Sequence, residues 1–126
     1  MTDMTSAIRQ PTEGGGAAAP VYTQCTAADK FAAQGGEWYL HYKNGATPTG
    51  TIFVNEQKAV APPGTTPGVP AGATKWSDLK VSTSMGGTTE LVIIIADATK
   101  YIDTSGFVNL QHVTPTTLTL AIFGPY

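Results

Sequence analysis

The chain has one cysteine, few charges and almost no helical periodicity, and each scarcity removes a class of protein from consideration. Cys25 has no partner for an internal disulfide and no Cys or His near it at zinc-ligand spacing, so it is expected to be a small, half-buried apolar side chain. Charged residues make up only 13% of the chain, with seven Lys and Arg against nine Asp and Glu for a net charge of -2. No basic cluster exists to neutralise a row of phosphates, which argues against nucleic acid as a partner. The longest apolar run, LVIIIA from Leu91, falls far short of the roughly 20 residues that carry a helix across a bilayer, so no membrane partner is expected. The opening MTDMTSAIRQPTEGGG lacks the basic and apolar regions of an export leader, so the chain is expected to be made and used inside a cell.

What is present is the text of one all-β domain. A length of 126 residues, 41% of them hydrophobic, suits a single core. Residues 1–20 read as a flexible N-terminal arm, because the run EGGGAAAP costs too much backbone entropy to order unaided. The arm is either a passive tail or a segment that orders on a neighbouring subunit, where Ile8 and Arg9 offer footholds and Val21 and Tyr22 continue the contact. Residues 21–126 form the β domain, with short runs of Val, Ile, Thr, Tyr and Phe between Gly, Pro, Asn and Asp clusters.

Within it, GEWYLHYKNG alternates with period two. Trp38, Leu40 and Tyr42 point to one face, and Glu37, Tyr39, His41 and Lys43 to the other. Asn44-Gly45 tolerates positive φ and predicts a turn, after which residues 51–55 are expected to return antiparallel beside the first strand. A short edge segment is expected at Lys58 to Val60, and the prolines at 62–72 exclude a central strand there. Extended structure is expected to resume at 73–76 and 79–82, with a turn at Met85-Gly86-Gly87. Residues 90–96 read as a strand covered on both faces. Residues 100–102, 107–112 and 116–123 read as further strands, and 26–33 as a short helical turn with Thr26 as its N-cap. About seven to nine strands at this spacing predict a single antiparallel β-sandwich or small β-barrel.

Few residues carry a chemical signature. No serine sits in a Gly-x-Ser-x-Gly elbow, and neither histidine lies in a recognisable catalytic frame, so no enzyme activity and no catalytic residue is expected. Asp97 and Asp103 bracket one strand, either as a carboxylate pair at a cleft or as turn residues binding backbone N–H groups. His41 and His112 lack an identifiable third ligand, so no metal site is assigned, and Gly14-Gly15-Gly16 is no phosphate cradle, so no cofactor is expected. Trp38 shares a face with Leu40 and Tyr42 and belongs to the core rather than to a carbohydrate platform. Trp76 either seals one end of the sandwich or anchors an interface.

Taken in order, Asp29-Lys30-Phe31, the WYLHYKNG strand, VPAGATKW from Val69, GFVNL from Gly106 and the closing TLTLA strand resemble the small β-sandwich head decoration, or capsid cement, proteins of tailed phages. The likeness spans residues 21–126 and departs from the family pattern between Lys80 and Lys100. It implies a structural protein on the capsid surface of the virion, assembled in the host cytoplasm. Such a protein binds the major capsid protein and forms a homo-oligomer, with a trimer the expected assembly. A virion-surface glycan-binding module acting through Trp76, or a neck or tail component, is the alternative.

Overall fold

The computed structural model describes residues 2–10, 19–55, 79–82 and 85–126. Ten strands and two 3-10 turns lie among them. In chain order the strands are β1 (Thr2–Asp3), β2 (Ile8–Arg9), β3 (Thr23–Gln24), β4 (Ala28–Ala32), β5 (Trp38–Asn44), β6 (Ile52–Val54), β7 (Leu79–Ser82), β8 (Thr89–Ile95), β9 (Phe107–His112) and β10 (Leu118–Phe123). They form two sheets, one ordered β1-β4-β9-β6-β7 and the other β2-β10-β5-β8, with β3 also paired to β10. The fold is therefore the expected all-β sandwich.

Period-two patterning explains why the layers close. Along β5 the side chains of Trp38, Leu40 and Tyr42 are buried, and the residues between them are partly or fully exposed. Their neighbours extend the buried rows across the sheet, Ile122–Leu40–Ile93 and Leu120–Tyr42–Leu91. From the opposite sheet Phe31, Val108, Leu110, Ile52 and Val54 fill the other side of the same core. Phe31 and Trp38 meet across the two layers with ring centroids 5.3 Å apart at a tilt of 50°.

Several local expectations give way to tertiary structure. Residues 2–9, part of the segment read as a flexible arm, lie on the domain's own sheets: β1 runs parallel to β4 and β2 parallel to β10. Met4 and Ala7 are buried between those two attachments, so apolar burial offsets the ordering entropy that favours a free tail. Because of these parallel pairs both sheets are mixed rather than purely antiparallel. Residues 28–32 are a strand, not a helical turn, since Asp29 and Phe31 face the core in alternation along β9. The Thr26 hydroxyl instead donates to the Ala28 carbonyl and to Asp29.

Residues 52–54 do not return beside β5; they pair with β9 and β7 in the other sheet. Asn44 explains the crossover. Its buried amide donates to the carbonyls of Thr47, Met85 and Gly86 and accepts from the Thr117 hydroxyl. This turns the chain away from its own sheet, and neither Asn44 nor Gly45 adopts the positive φ expected of them. Residues 98–100 form a 3-10 turn capped by Asp97, which displaces the strand expected at 100–102 and leaves only an isolated bridge between Ile102 and Val108. The strand at 90–96 is covered on one face only, because Val92 and Ile94 are exposed. The segments expected at 58–60, 62–72 and 73–76 lie outside the described residues. Among the described residues, no helix is long and apolar enough to cross a membrane.

Candidate functional site: the outer face of the β5–β8 sheet

Two groups of residues carry chemistry, one on a surface and one in the core. The surface group is the outer face of the sheet containing β10, β5 and β8. Strand register sets three rows across it: Phe123–Tyr39–Ile94, Ala121–His41–Val92 and Thr119–Lys43–Glu90. The face thus grades from apolar at one end to charged at the other. Val92 is 53% exposed and Ile94 57%, while residues 91, 93 and 95 of the same strand turn inward. Tyr126, itself exposed, packs edge-on against Tyr39 with ring centroids 5.0 Å apart and extends the apolar end.

The polar end is an interlocked set of four side chains. His41 Nε2 lies 3.1 Å from the Glu90 carboxylate, and Lys43 Nζ lies 3.8 Å from it. The Tyr22 hydroxyl bonds His41 Nδ1 at 2.8 Å, and Lys43 Nζ sits 4.2 Å from the centre of the Tyr22 ring. Exposed pairs of this kind add little stability singly, but as a network they fix the orientation of the surface they decorate. The Tyr39 hydroxyl donates to Glu37, and that bond holds its proton on and raises its pKa.

The core group was not assembled by sequence reasoning. Cys25, Asp29 and His112 place potential ligand atoms within 4.8 Å of one another, all buried. His112 Nδ1 lies 3.0 Å from Asp29 and 2.9 Å from the Thr26 carbonyl, and its Nε2 is 2.9 Å from the Tyr42 hydroxyl. One tautomer satisfies all of these: Nδ1–H donates inward and Nε2 accepts from Tyr42. Asp29 in turn accepts from the backbone N–H of Thr2 and Thr26 and from the Thr26 hydroxyl. The Cys25 thiol is pushed far above its usual range, first by burial and then by the charge of Asp29, which makes it a poor nucleophile. With both imidazole nitrogens and the carboxylate engaged, this cluster pins β1, the β3–β4 connection and β9 together.

The signal for this cluster lay in strand parity. Asp29 shares its inward face with Phe31, and His112 shares its inward face with Val108 and Leu110, so a polar residue stood at a core position in each strand. His41 and His112 are not brought together; the first faces outward on β5 and the second is buried on β9. Asp97 and Asp103 serve their own loops, Asp97 accepting from Thr99, and Asp103 from the backbone N–H of Ser105 and Phe107 and from the Asn109 amide.

The other sequence-derived contact residues are also located. Ile8 packs against the core, and Arg9 Nη1 donates to the carbonyls of Ser6 and Ile8. Tyr22 lies on the outer face just described, and Val21 beside it in the chain is exposed. Trp76 lies outside the described residues.

Burial holds the His112 imidazole below its usual pKa of 6.5, outweighing the Thr26 carbonyl and Asp29, which pull the other way. A histidine kept neutral in the fold takes up a proton more readily when unfolded. Its contribution to stability is therefore complete above pH 6.5 and is lost as the pH falls from 6.5 towards the depressed folded value. The urea midpoint is expected to drop between about pH 7.5 and about pH 5.5, and a flat midpoint across that window would show that His112 is not held neutral.

No family model matches the chain, and no curated protein or solved structure matches it.

Proposed function

We propose that this chain is a structural virion protein, a bacteriophage capsid decoration or cement protein that binds the outer surface of the major capsid protein lattice and stabilises the head. The observation that carries the proposal is the pair Val92 and Ile94, more than half exposed beside Tyr39 and Tyr126, on a strand whose opposite face packs on the core through Ile93 and Ile95. Contiguous exposed apolar surface rimmed by polar groups marks an adhesion site rather than a solvated face. The partner rests on the order of motifs in which the sequence resembles phage decoration proteins.

On this reading the chain works by adhesion repeated over a lattice. Each contact is modest, and many equivalent contacts on one shell raise the effective affinity without any one being strong. The pinned N-terminal segment and the Asp29 cluster keep the domain rigid, so little ordering entropy opposes docking. The chain acts as a homo-oligomer, which multiplies the contacts made by each docked unit.

Quantitative mass spectrometry of purified particles tests this directly. The chain is expected at a copy number that is a fixed ratio of the major capsid protein. A few copies per particle would favour a neck or tail position, and none would overturn the proposal.

A further inference from the structure

We propose that β8 is the seam of a two-fold homodimer, in which its open edge pairs antiparallel with β8 of a second copy and Ile93 lies opposite Ile93. Edge pairing does not depend on capsid binding. Among the described residues β8 ends its sheet, and all seven of its residues pair in unbroken register with β5. Among the described residues, no strand takes its other side. Exposed edges are ordinarily blunted by lysine, proline or a bulge, because unpaired N–H and C=O groups template association. The strand TELVIII contains none of these devices.

A second copy is the occupant that suits this strand. Residues 91–95 read LVIII, apolar at every position, so an antiparallel copy sets apolar against apolar on both faces. The one charge in the strand, Glu90, excludes the registers centred before Ile93, and Ile93 is the centre that pairs the whole run 91–95 with itself. A two-fold on Glu90 would oppose like charges, and one on Leu91 or Val92 would seal Glu90 against Val92 or Ile94. With the two-fold on Ile93, Val92 lies opposite Ile94 in both directions. Glu90 then falls opposite Ala96, past the strand end, where it keeps its contacts to His41 and Lys43.

On the inner face, Leu91 meets Ile95 across the seam, and the core rows of the two sandwiches continue into one another. The β2-β10-β5-β8 sheet thereby becomes continuous through both copies. Such a seam is small, below the roughly 1,200 Å² of a standard interface, so it forms reversibly rather than as a permanent assembly. It closes at two copies, in place of the three that the phage resemblance implies.

Sedimentation velocity of the full chain, from about 1 to about 100 micromolar, is expected to show a monomer passing to a dimer. The double variant Val92→Lys/Ile94→Lys is expected to remain monomeric. If that variant fails to fold, Val92→Cys/Ile94→Cys still decides the matter. Directly opposite residues lie about 5 Å apart, within disulfide reach, so mild oxidation is expected to link two copies of the double variant but neither single one. Cys25 is only 3% exposed and does not compete. A chain monomeric at every concentration, a trimer, or cross-linking of Val92→Cys alone as readily as of the pair would overturn the proposal. Protection of β8 from hydrogen exchange only on capsids would give the edge to the capsid and overturn it as well.

Discussion

Replacing Asp29 with alanine is expected to lower the stability of the domain by about 3–5 kcal/mol, the largest loss of any single polar substitution among the described residues. The carboxylate is fully buried and receives the N–H groups of Thr2 and Thr26, the Thr26 hydroxyl and His112 Nδ1. Each such bond to a charged acceptor contributes about 1.5–3 kcal/mol, and removing the acceptor strands donors in a dry interior. The values are not additive, because the His112 proton retains the Thr26 carbonyl as a second acceptor. Urea unfolding followed by tryptophan fluorescence measures the loss. Asparagine at the same position is expected to recover only part of it, since its amide turns a donor towards other donors. A midpoint unchanged in Asp29→Ala would show that the cluster does not hold the N-terminal strand to the sandwich.

Trp38→Ala is expected to cost a similar amount, about 3–5 kcal/mol, through loss of transfer energy and the cavity left behind. The indole is 2% exposed, packs on Phe31 from the facing sheet and donates its N–H to the Gln34 carbonyl at 3.0 Å. Gly124 approaches so closely that a Cβ there would stand 2.8 Å from the ring, so the C-terminal segment closes over it. Trp38→Phe is expected to retain most of the stability, since the contact between layers survives and only the hydrogen bond and part of the area are lost. Thermal or urea denaturation of the two variants separates these outcomes. Equal stability of Trp38→Ala and the parent would mean that the two sheets do not depend on this contact.

How much of this was legible in the sequence depended on the range of the interaction. The β5 pattern identified Trp38, Leu40 and Tyr42 as core because side-chain alternation is a local property that any buried sheet face imposes. The neighbours of β5 were not legible. Asn44-Gly45 carries a hairpin signal, yet the Asn44 amide is taken up by Met85, Gly86 and Thr117, partners distant in the chain, and the strand that follows crosses to the other sheet. An unbroken run such as LVIII fits a strand covered on both faces and a one-sided strand at a sheet edge equally well, so its exposed face emerged only from the topology.

The N-terminal strands were hidden for a different reason. β1 and β2 have two residues each, too few for any periodicity, and the glycine run that follows them suggested a free arm. The ends of Met4 and Asp29 that fix the segment meet only in the folded chain: Met4 N–H donates to the Lys30 carbonyl at 2.7 Å, and Thr2 N–H to Asp29. The buried pair Asp29 and His112 is hard to read because residues 26–33 carry a helical-turn signal, which hides the alternation that puts Asp29 and Phe31 on one face of a strand.

Imaging of the assembled particle at side-chain resolution tests most directly the proposal that this sandwich adheres to a phage head through the face carrying Val92 and Ile94. The chain is expected on the outside of the head at equivalent lattice positions, with both side chains covered by capsid. A head that lacks the chain, or bears it with that face open to solvent, would contradict it.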